Sequence, residues 1–355
     1  MRAAVLEEYG EPLRITEVAR PTPEPDGVVV AVEACGVCRS DWHAWRGHGE
    51  WADDQVPRGQ VLGHEPAGRI VERGAEVTTL AEGDRVAIPF CLGDGTCHRC
   101  RNGRGNICEN GHALGFEPSA AGAFAEFVHV PHAEFNVAPL PDGVAFEAAA
   151  ALGCRYATAY HGLAHRAPPS PGDWVAVLGC GGVGLSAIQV ADTLAAGVVA
   201  VDLSERALER AQTLGADVTV QAGEGVDVPG RLRDATDGGP HVTIDALGAA
   251  ETCRAGVQSL RAGGTQLQLG LTGEAERGEI ALPTDSMTRW ERSLVGARGC
   301  PPSRYAELFR LVDRDHIDPG ALISRELSLE DLPDRLAAMD DYGTEGIEVV
   351  TEFSA

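Results

Sequence analysis

Over residues 174–206, short apolar runs alternate with a glycine-rich segment and an amphipathic segment more clearly than elsewhere in the chain. Residues 175–178 form an apolar run that is too short for a helix and rich in β-branched side chains, which indicates a buried strand. An amphipathic segment follows, and a second apolar run over 198–201 predicts a second strand. This order of strand, helix and strand predicts a β-α-β unit with a parallel sheet.

A glycine-rich turn joins the first of these strands to the helix. Its residues are Gly179, Gly181, Gly182, Val183 and Gly184. Glycines permit a tight turn and let the backbone approach a pyrophosphate, while the start of the helix directs free N–H groups at the phosphates. The pattern therefore indicates a dinucleotide-binding turn, and the alternative is a glycine-rich turn in an ordinary β-α unit.

Asp202 ends the second strand, about 20 residues after the glycine-rich turn. A carboxylate at this place accepts hydrogen bonds from the ribose hydroxyls of the adenosine half and repels a 2′-phosphate. The sequence therefore favours NAD over NADP. Arg206 follows closely and keeps NADP open as an alternative, because a guanidinium there would tolerate the phosphate.

The other apolar patterns divide the chain into a mainly β part and an α/β part. Period-two alternation predicts strands, and it is found over residues 1–33, 66–90 and 122–140. Residues 145–163 predict a pair of helices with Cys154 between them. The mainly β part is thus expected to come first along the chain.

Helices and strands alternate after Asp202, as a doubly wound parallel sheet requires. The run at 267–271 predicts a sheet strand whose end, with Leu269 and Leu271, is expected close to the nicotinamide. Residues 293–299 are predicted to close the sheet. The last segment, from about residue 297 to 355, is expected to rejoin the mainly β part.

Composition adds limits to this picture. A chain of 355 residues suits two domains, and its 44% hydrophobic and 23% charged residues are ordinary for a globular protein. The net charge of −24 argues against nucleic-acid and membrane binding. All 29 basic residues are arginine, so no lysine Schiff base is available. No apolar run is long enough to span a membrane and the first residues lack a secretory pattern, so we expect a cytoplasmic protein.

Ten cysteines in such a protein indicate metal ligands or buried thiols rather than disulfides. Cys35 and Cys38 lie in a glycine-bounded loop, His64 follows in a Gly-His-Glu sequence, and Cys154 comes much later. Two thiolates and one imidazole form the ligand set of an open tetrahedral zinc site, which keeps a fourth position for water or substrate.

The motifs GVCRSDWH, GHEPAG, a cysteine lobe over 90–108, Cys154, GCGGVG and Asp202 occur in this order. Together they resemble the zinc-dependent alcohol dehydrogenases of the medium-chain dehydrogenase/reductase superfamily, over essentially the whole chain. The resemblance implies an α/β protein with a mainly β, GroES-like catalytic domain over 1–155 and 297–355. It implies a Rossmann domain for NAD over 156–296, with a doubly wound parallel sheet.

The resemblance also implies an activity. Such an enzyme oxidises a primary or secondary alcohol reversibly to an aldehyde or ketone, with zinc at the active site and hydride transfer to NAD. Homodimers or homotetramers that form through edge strands of the NAD domain are implied as well.

Site residues carry over one at a time. Cys38, His64 and Cys154 match the catalytic zinc ligands, and Asp41 matches the carboxylate that orients the ligating histidine. Cys35 is the weaker candidate of the first pair and is interpreted as a buried thiol.

Four further residues match positions around the reaction. Ser40 matches the hydroxyl beside the zinc-bound alcohol, and His43 matches the outer end of the proton relay. Arg39 matches a pyrophosphate contact. Glu65 matches an acid that replaces water transiently as the fourth zinc ligand, with an ordinary salt bridge as the alternative.

The cysteine lobe resembles the family's structural zinc site, with one departure. Cys97, Cys100 and Cys108 keep the spacing of three ligands, but the register places Asp94 where the family has a fourth cysteine. A carboxylate oxygen can complete a zinc tetrahedron, which favours Asp94. Cys91 is the alternative after a loop shift, and a weak or empty site is a third outcome.

A second departure lies near the final strand. The family often has an arginine there that contacts the cofactor phosphates. Here residues 346–348 are Gly-Ile-Glu, so this expected cofactor contact is missing.

The substrate class is less constrained than the reaction. Trp42, Trp45 and Trp51 predict an apolar wall of the substrate pocket, with surface or interface packing as the alternative. A polyol, sugar or amino-alcohol dehydrogenase of the same superfamily is the second hypothesis. A non-catalytic NAD-binding protein would have lost a zinc ligand or a relay residue, and all of these residues are present.

Overall fold

A computed structural model of the chain describes residues 1–49, 55–194, 197–341 and 346–354. The chain forms two compact units. Unit 1 comprises Met1–Ala157 and Gly299–Ala355, and unit 2 comprises Thr158–Arg298. Each unit has its own sheet.

The strands, in chain order, are β1 (Arg2–Leu6), β2 (Arg14–Glu17), β3 (Val28–Val37), β4 (Gln60–Val61), β5 (Glu65–Arg73), β6 (Arg85–Ala87), β7 (Cys91–Leu92), β8 (His112–Ala113), β9 (Phe127–Val130), β10 (Ala138–Pro139), β11 (Trp174–Leu178), β12 (Gly197–Asp202), β13 (Val218–Gln221), β14 (Val242–Asp245), β15 (Thr265–Gln268), β16 (Ser293–Gly296), β17 (Ile323–Ser328) and β18 (Ile347–Glu352).

The α-helices are α1 (Arg39–Trp45), α2 (His98–Arg101), α3 (Ala133–Asn136), α4 (Phe146–Ala151), α5 (Ala157–His161), α6 (Gly182–Thr193), α7 (Glu205–Thr213), α8 (Val228–Ala235), α9 (Ala250–Ser259), α10 (Thr284–Trp290), α11 (Tyr305–Asp313) and α12 (Leu332–Ala338). Two π-helical turns lie at Leu152–Tyr156 and Gly162–Arg166. Short 3₁₀ turns lie at Gly105–Ile107, Pro302–Arg304, Gly320–Leu322 and Met339–Asp341.

Unit 1 is built around β3, a ten-residue strand of β-branched and small residues that is buried along most of its length. The sheet order is β10-β6-β5-β3-β18-β17, and β9 also pairs with β3. β18 runs antiparallel to the end of β3, with Val350 opposite Cys35 and Glu348 opposite Val37. The last part of the chain thus completes the sheet that begins near the first part.

Unit 2 has six parallel strands in the order β13-β12-β11-β14-β15-β16. The strands β11, β12 and β14 are buried along most of their length, because helices cover both faces of such a sheet. The strand order reverses between β11 and β14, and ligands of doubly wound sheets bind at the carboxyl ends of the strands at this reversal. The GroES-like and Rossmann folds predicted from the sequence are confirmed.

Two local predictions are wrong. The predicted strand over 267–271 ends at Gln268, because the backbone N–H groups of Leu269 and Gly270 both turn to the carbonyl of Asp245. Within the run predicted as strands over 122–140, α3 intervenes after His132, whose positive φ of 46° breaks the extended backbone.

In the described part of the chain, no helix has the length and apolar character that crossing a membrane requires.

Candidate active site

Three segments that lie far apart in sequence carry the predicted catalytic zinc ligands. Cys38 lies between β3 and α1, and His64 immediately precedes β5. Cys154 lies in the π-helical turn after α4, where Gly153 leaves the helical conformation with φ −39° and ψ −109°. The kink separates α4 from α5, as the predicted pair of helices with Cys154 between them requires, and the fold brings Cys154 to the other two ligands.

Cys38, His64, Glu65 and Cys154 form one group, the donor cluster, whose possible ligand atoms all lie within 4.8 Å of one another. His64 is fully buried, yet its Nε2 atom has no hydrogen-bond partner among the described residues. A buried nitrogen of this kind costs free energy unless it meets a metal ion or another polar group. Two thiols and this nitrogen are donors that zinc prefers, so the cluster fits a zinc ion.

Asp41 fixes the imidazole that carries this nitrogen. Its Oδ1 lies 2.9 Å from His64 Nδ1 and accepts from the backbone N–H of Gly63 at 3.2 Å. Its Oδ2 accepts from the backbone N–H of Cys38 at 3.0 Å. The carboxylate thus favours a proton on Nδ1 and leaves the Nε2 lone pair for a metal. One buried side chain ties together the segments of two predicted ligands.

The charges around the donor cluster suit a cation. The hydrogen bond from Cys154 lowers the pKa of the Cys38 thiol well below its usual range and raises the pKa of Cys154. Burial disfavours a charged His64, but the Asp41 carboxylate and Cys38 raise the pKa of the imidazole well above its ordinary value. A metal ion bound there would displace the protons that these shifts keep on Cys154 and His64, because thiolates and a neutral imidazole are the forms that bind metals.

Glu65 belongs to the donor cluster and also makes a buried salt bridge. Arg155 Nη2 lies 2.7 Å from Glu65 Oε2, and both side chains are almost completely buried. The salt bridge that the sequence offered as an alternative is present, and the carboxylate stays within reach of the other donors. The sequence pattern did not single out Arg155, although a charged residue directly after Cys154 in an apolar segment is a signal for it.

The predicted proton relay begins next to the donor cluster. Ser40 Oγ lies 3.8 Å from Cys38 Sγ. His43 lies one turn later on α1, and its Nδ1 lies 3.1 Å from Nδ1 of His48. Burial, His48 and Arg39 together lower the pKa of His43 to about 4, so its imidazole is neutral at neutral pH and can accept a proton. His48 was not predicted from the sequence, since nothing in its spacing marks it.

Two more predictions fall on α1. The Arg39 guanidinium stacks on the Trp42 ring at 4.0 Å and donates to the carbonyl of Met339 at 2.9 Å. Trp42 and Trp45 are buried in the hydrophobic core of unit 1. The predicted tryptophan wall therefore lacks support from these two, and Trp51 lies outside the described residues.

The cysteine lobe brings together a second set of donors. Asp94, Cys97, Cys100 and Cys108 have possible ligand atoms within 4.8 Å of one another, and two of the thiols are 3.6 Å apart. Asp94 Oδ1 accepts from the backbone N–H of Cys97 at 2.8 Å, which fixes the carboxylate beside the thiols. Cys91, the alternative ligand, lies in β7 and packs in the core.

The glycine-rich turn of unit 2 has the geometry that its residues permit. Gly179 has a φ of +95°, which favours glycine, and a Cβ at Gly184 would overlap the Gly179 carbonyl oxygen. A Cβ at Gly181 would meet no atom within 4 Å. Gly182 and Val183 form the first turn of α6. The turn is thus closed on the sheet side and open at its tip, where a phosphate would approach.

The other predicted cofactor residues surround the ends of the strands. Asp202 Oδ2 accepts from the backbone N–H of Cys180 at 2.7 Å, so the carboxylate lies against the glycine-rich turn. Arg206 is exposed in the first turn of α7. Leu269 is half-buried and Leu271 is 58% exposed, both beyond the end of β15.

Comparisons with known proteins agree with this arrangement. Models of the alcohol dehydrogenase GroES-like domain and of the zinc-binding dehydrogenases match residues 24–142 and 182–314. An alcohol dehydrogenase of Geobacillus stearothermophilus is 36% identical over 285 residues, which are 80% of each chain. An NAD-dependent alcohol dehydrogenase of Sulfurisphaera tokodaii is 32% identical over 357 residues, which are 99% of each chain. The structure of an alcohol dehydrogenase from Thermus sp. ATN1 has a TM-score of 0.90 at 31% identity, and the match covers 99% of this chain and 100% of that one.

Proposed function

Since this chain belongs to the zinc-binding alcohol dehydrogenases, we propose that Cys38, His64 and Cys154 hold the zinc ion at which it oxidises alcohols. The observation that carries the proposal is the buried, unpartnered Nε2 of His64 beside two thiols. The enzyme uses NAD and converts a primary or secondary alcohol to an aldehyde or ketone, reversibly. The glycine-rich turn and Asp202 support the assignment of unit 2 to the cofactor and of unit 1 to the catalytic residues.

The two cofactors supply the reactive chemistry when bound: zinc acidifies an alcohol or polarises a carbonyl, and nicotinamide exchanges hydride. The protein supplies placement and proton transfer. Cys38 and Cys154 provide negative charge, and Asp41 keeps the His64 ring oriented. Ser40, beside Cys38 Sγ, would accept the proton of the alcohol while it releases its own hydroxyl proton, and neutral His43 at the outer end of the relay would pass a proton on to solvent.

The substrate is best determined by a panel of alcohols, polyols, sugars and threonine, with NADH formation followed by absorbance and zinc measured per chain. We expect turnover of simple or benzylic alcohols. Turnover confined to polyols, sugars or threonine would assign the protein to the second hypothesis. A zinc-loaded protein that turns over none of them would instead support a non-catalytic NAD-binding protein.

Replacing Ser40 by alanine tests the relay. We expect the turnover of Ser40→Ala to fall about a hundredfold or more, because general acid–base transfer contributes at that scale. NAD affinity and zinc content should stay at the wild-type level. Ser40→Thr keeps the hydroxyl and is the matched control, which should retain most activity. Equal turnover in Ser40→Ala and the wild type would remove Ser40 from the reaction.

Cofactor choice depends in this proposal on Asp202. We expect Asp202→Ala to weaken NAD binding by roughly tenfold to a hundredfold, the size of one lost charge-assisted hydrogen bond. NADP use should rise, because the carboxylate no longer repels the 2′-phosphate. Initial rates with both cofactors measure this ratio. Asp202→Glu serves as the control that keeps the charge, and an unchanged ratio in Asp202→Ala would contradict the proposal.

The edge strand β16 supports the proposed assembly into homodimers or homotetramers. In the described part of unit 2, β16 pairs with β15 alone. Its Leu294 is 43% exposed and the preceding Trp290 is 45% exposed. An apolar, unpaired sheet edge favours pairing with a second copy.

A charged side chain on the edge strand β16 should dissociate the proposed oligomer. We expect Leu294→Arg to shift the protein to a smaller species in sedimentation or light scattering. Leu203→Arg is the control, because Leu203 is exposed on unit 2 but lies outside the edge strand. The same assembly in Leu294→Arg and wild type would argue against this interface.

The ten cysteines are all free thiols in the structure. Free thiols in this number support a reducing compartment such as the cytoplasm.

A further inference from the structure

We propose that Arg155 is a positioning residue that holds the Glu65 carboxylate out of the metal's coordination sphere and so keeps the fourth position open for substrate. The inference rests on the proposed zinc site at Cys38, His64 and Cys154. It concerns the two charged residues of the site whose roles the sequence did not settle.

Glu65 is close enough to be a ligand. A carboxylate oxygen of Glu65 lies within 4.8 Å of the donor atoms of Cys38, His64 and Cys154. Carboxylates are ordinary zinc ligands, and a fully buried one beside a dication has a strong electrostatic reason to bind it. A fourth protein ligand would close the site to substrate. An open site therefore requires something that restrains Glu65.

Arg155 and its backbone occupy both oxygens of Glu65. Oε2 accepts from Arg155 Nη2 at 2.7 Å, and Oε1 accepts from Arg155 Nε at 3.3 Å. Oε1 also accepts from the backbone N–H of Cys154 at 2.8 Å and from that of Arg155 at 3.3 Å. The guanidinium binds the carboxylate in a bidentate manner, through two N–H donors, which is the strongest geometry for an arginine–carboxylate pair. Rotation of Glu65 towards the metal would break several of these bonds.

Two glycines fit closely around the same side chain. A Cβ at Gly36 would overlap Glu65 Oε2, and a Cβ at Gly153 would lie 2.5 Å from Glu65 Cβ. The space around Glu65 is therefore shaped by the absence of side chains on both β3 and the kink before Cys154. The two glycine backbones therefore confine the Glu65 carboxylate to the side of the donor cluster that Arg155 occupies.

The positive charge beside Glu65 comes from Arg155, the residue directly after a proposed zinc ligand. Positioning of Cys154 and restraint of Glu65 are consequently linked in two neighbouring residues.

Cobalt-substituted protein tests the restraint directly, because the visible spectrum of Co²⁺ reports the number and kind of its ligands. The variants are Arg155→Met, Arg155→Lys and the double variant Glu65→Gln with Arg155→Met. Each is compared with the wild type for bound metal per chain, cobalt spectrum and turnover of the zinc form.

We expect Arg155→Met to keep its metal, to show the spectrum of an added oxygen ligand, and to lose at least tenfold in turnover. The double variant removes both charges together, so it should regain the wild-type cobalt spectrum. Arg155→Lys keeps the positive charge but cannot form the bidentate hydrogen bonds. Its cobalt spectrum should change less than that of Arg155→Met. It also tests the proposal if Arg155→Met does not fold.

A wild-type cobalt spectrum in both Arg155→Met and Arg155→Lys would overturn the inference, whatever their turnover. A double variant whose cobalt spectrum still shows the added oxygen ligand would overturn it as well, because that oxygen could not then come from the Glu65 carboxylate. Failure of the proposed function looks different: wild-type protein would then show no thiolate-to-cobalt absorption that depends on Cys154.

Discussion

Replacement of Cys154 by serine is expected to lower turnover at least about a thousandfold, since loss of a bound Lewis acid removes several kcal/mol of transition-state stabilisation. Cys154 supplies one of two thiols in the donor cluster, and a serine hydroxyl is a poor zinc ligand. Metal analysis should find the zinc of the donor cluster lost and any zinc in the cysteine lobe retained. The fold should persist, because serine keeps the backbone N–H that binds Glu65.

Cys35→Ser is the matched control for this experiment. Cys35 lies only three residues before Cys38 and is fully buried, but it is not part of the donor cluster. Burial raises the pKa of its thiol well above the ordinary value, so the thiol stays protonated. We expect Cys35→Ser to keep the zinc content of the wild type and most of its activity. Full zinc content and activity in Cys154→Ser would remove Cys154 from the ligand set.

Substitution of Gly184 by alanine should destabilise unit 2 more than the substitution of any other glycine of the glycine-rich turn by alanine. A Cβ at Gly184 would overlap the carbonyl oxygen of Gly179, which is backbone and cannot rotate away. We expect the free energy of unfolding to fall by about 3 kcal/mol or more, the range of overpacking in a buried site. Thermal unfolding and NAD titration calorimetry measure the two consequences, a lower melting temperature and lost NAD binding.

Gly181→Ala separates folding from cofactor binding in the same turn. A Cβ at Gly181 would meet no atom within 4 Å, so the melting temperature should match the wild type. NAD binding should nevertheless weaken, because this glycine lets the backbone approach the pyrophosphate. A strongly lowered melting temperature in Gly181→Ala, or an unchanged one in Gly184→Ala, would contradict the role given to each glycine.

The sequence predicted those features whose signal is local. The apolar run, the glycines and Asp202 lie within one β-α-β unit, so short-range rules suffice for the Rossmann part. The donor cluster could be anticipated because cysteine and histidine have few other roles in such spacing. Asp94 could be proposed because its register beside three cysteines is fixed by the chain itself.

Features that depend on distant packing were not predictable in this way. Arg155 becomes meaningful only when the kink at Gly153 places it against Glu65, about ninety residues earlier in the chain. The sequence pattern of Trp42 and Trp45 fits a pocket wall and a hydrophobic core equally well. In the structure both side chains pack in the hydrophobic core of unit 1. His48 meets His43 through a turn after α1 that carries no sequence signature.

The pairing of β18 with the end of β3 has a consequence for biosynthesis. The register places Val350 opposite Cys35 and Glu348 opposite Val37, directly before Cys38. Unit 2 is one continuous segment and can fold while the ribosome is still translating the last part of the chain. β3, which ends directly before Cys38, can pair with β5 and β9 early, but its pairing with β18 must wait until residues 347–352 have left the ribosomal exit tunnel. We therefore expect the segment that carries Cys38 to reach its final position late in synthesis, and until then its thiol is exposed to whatever metal or oxidant the cell contains.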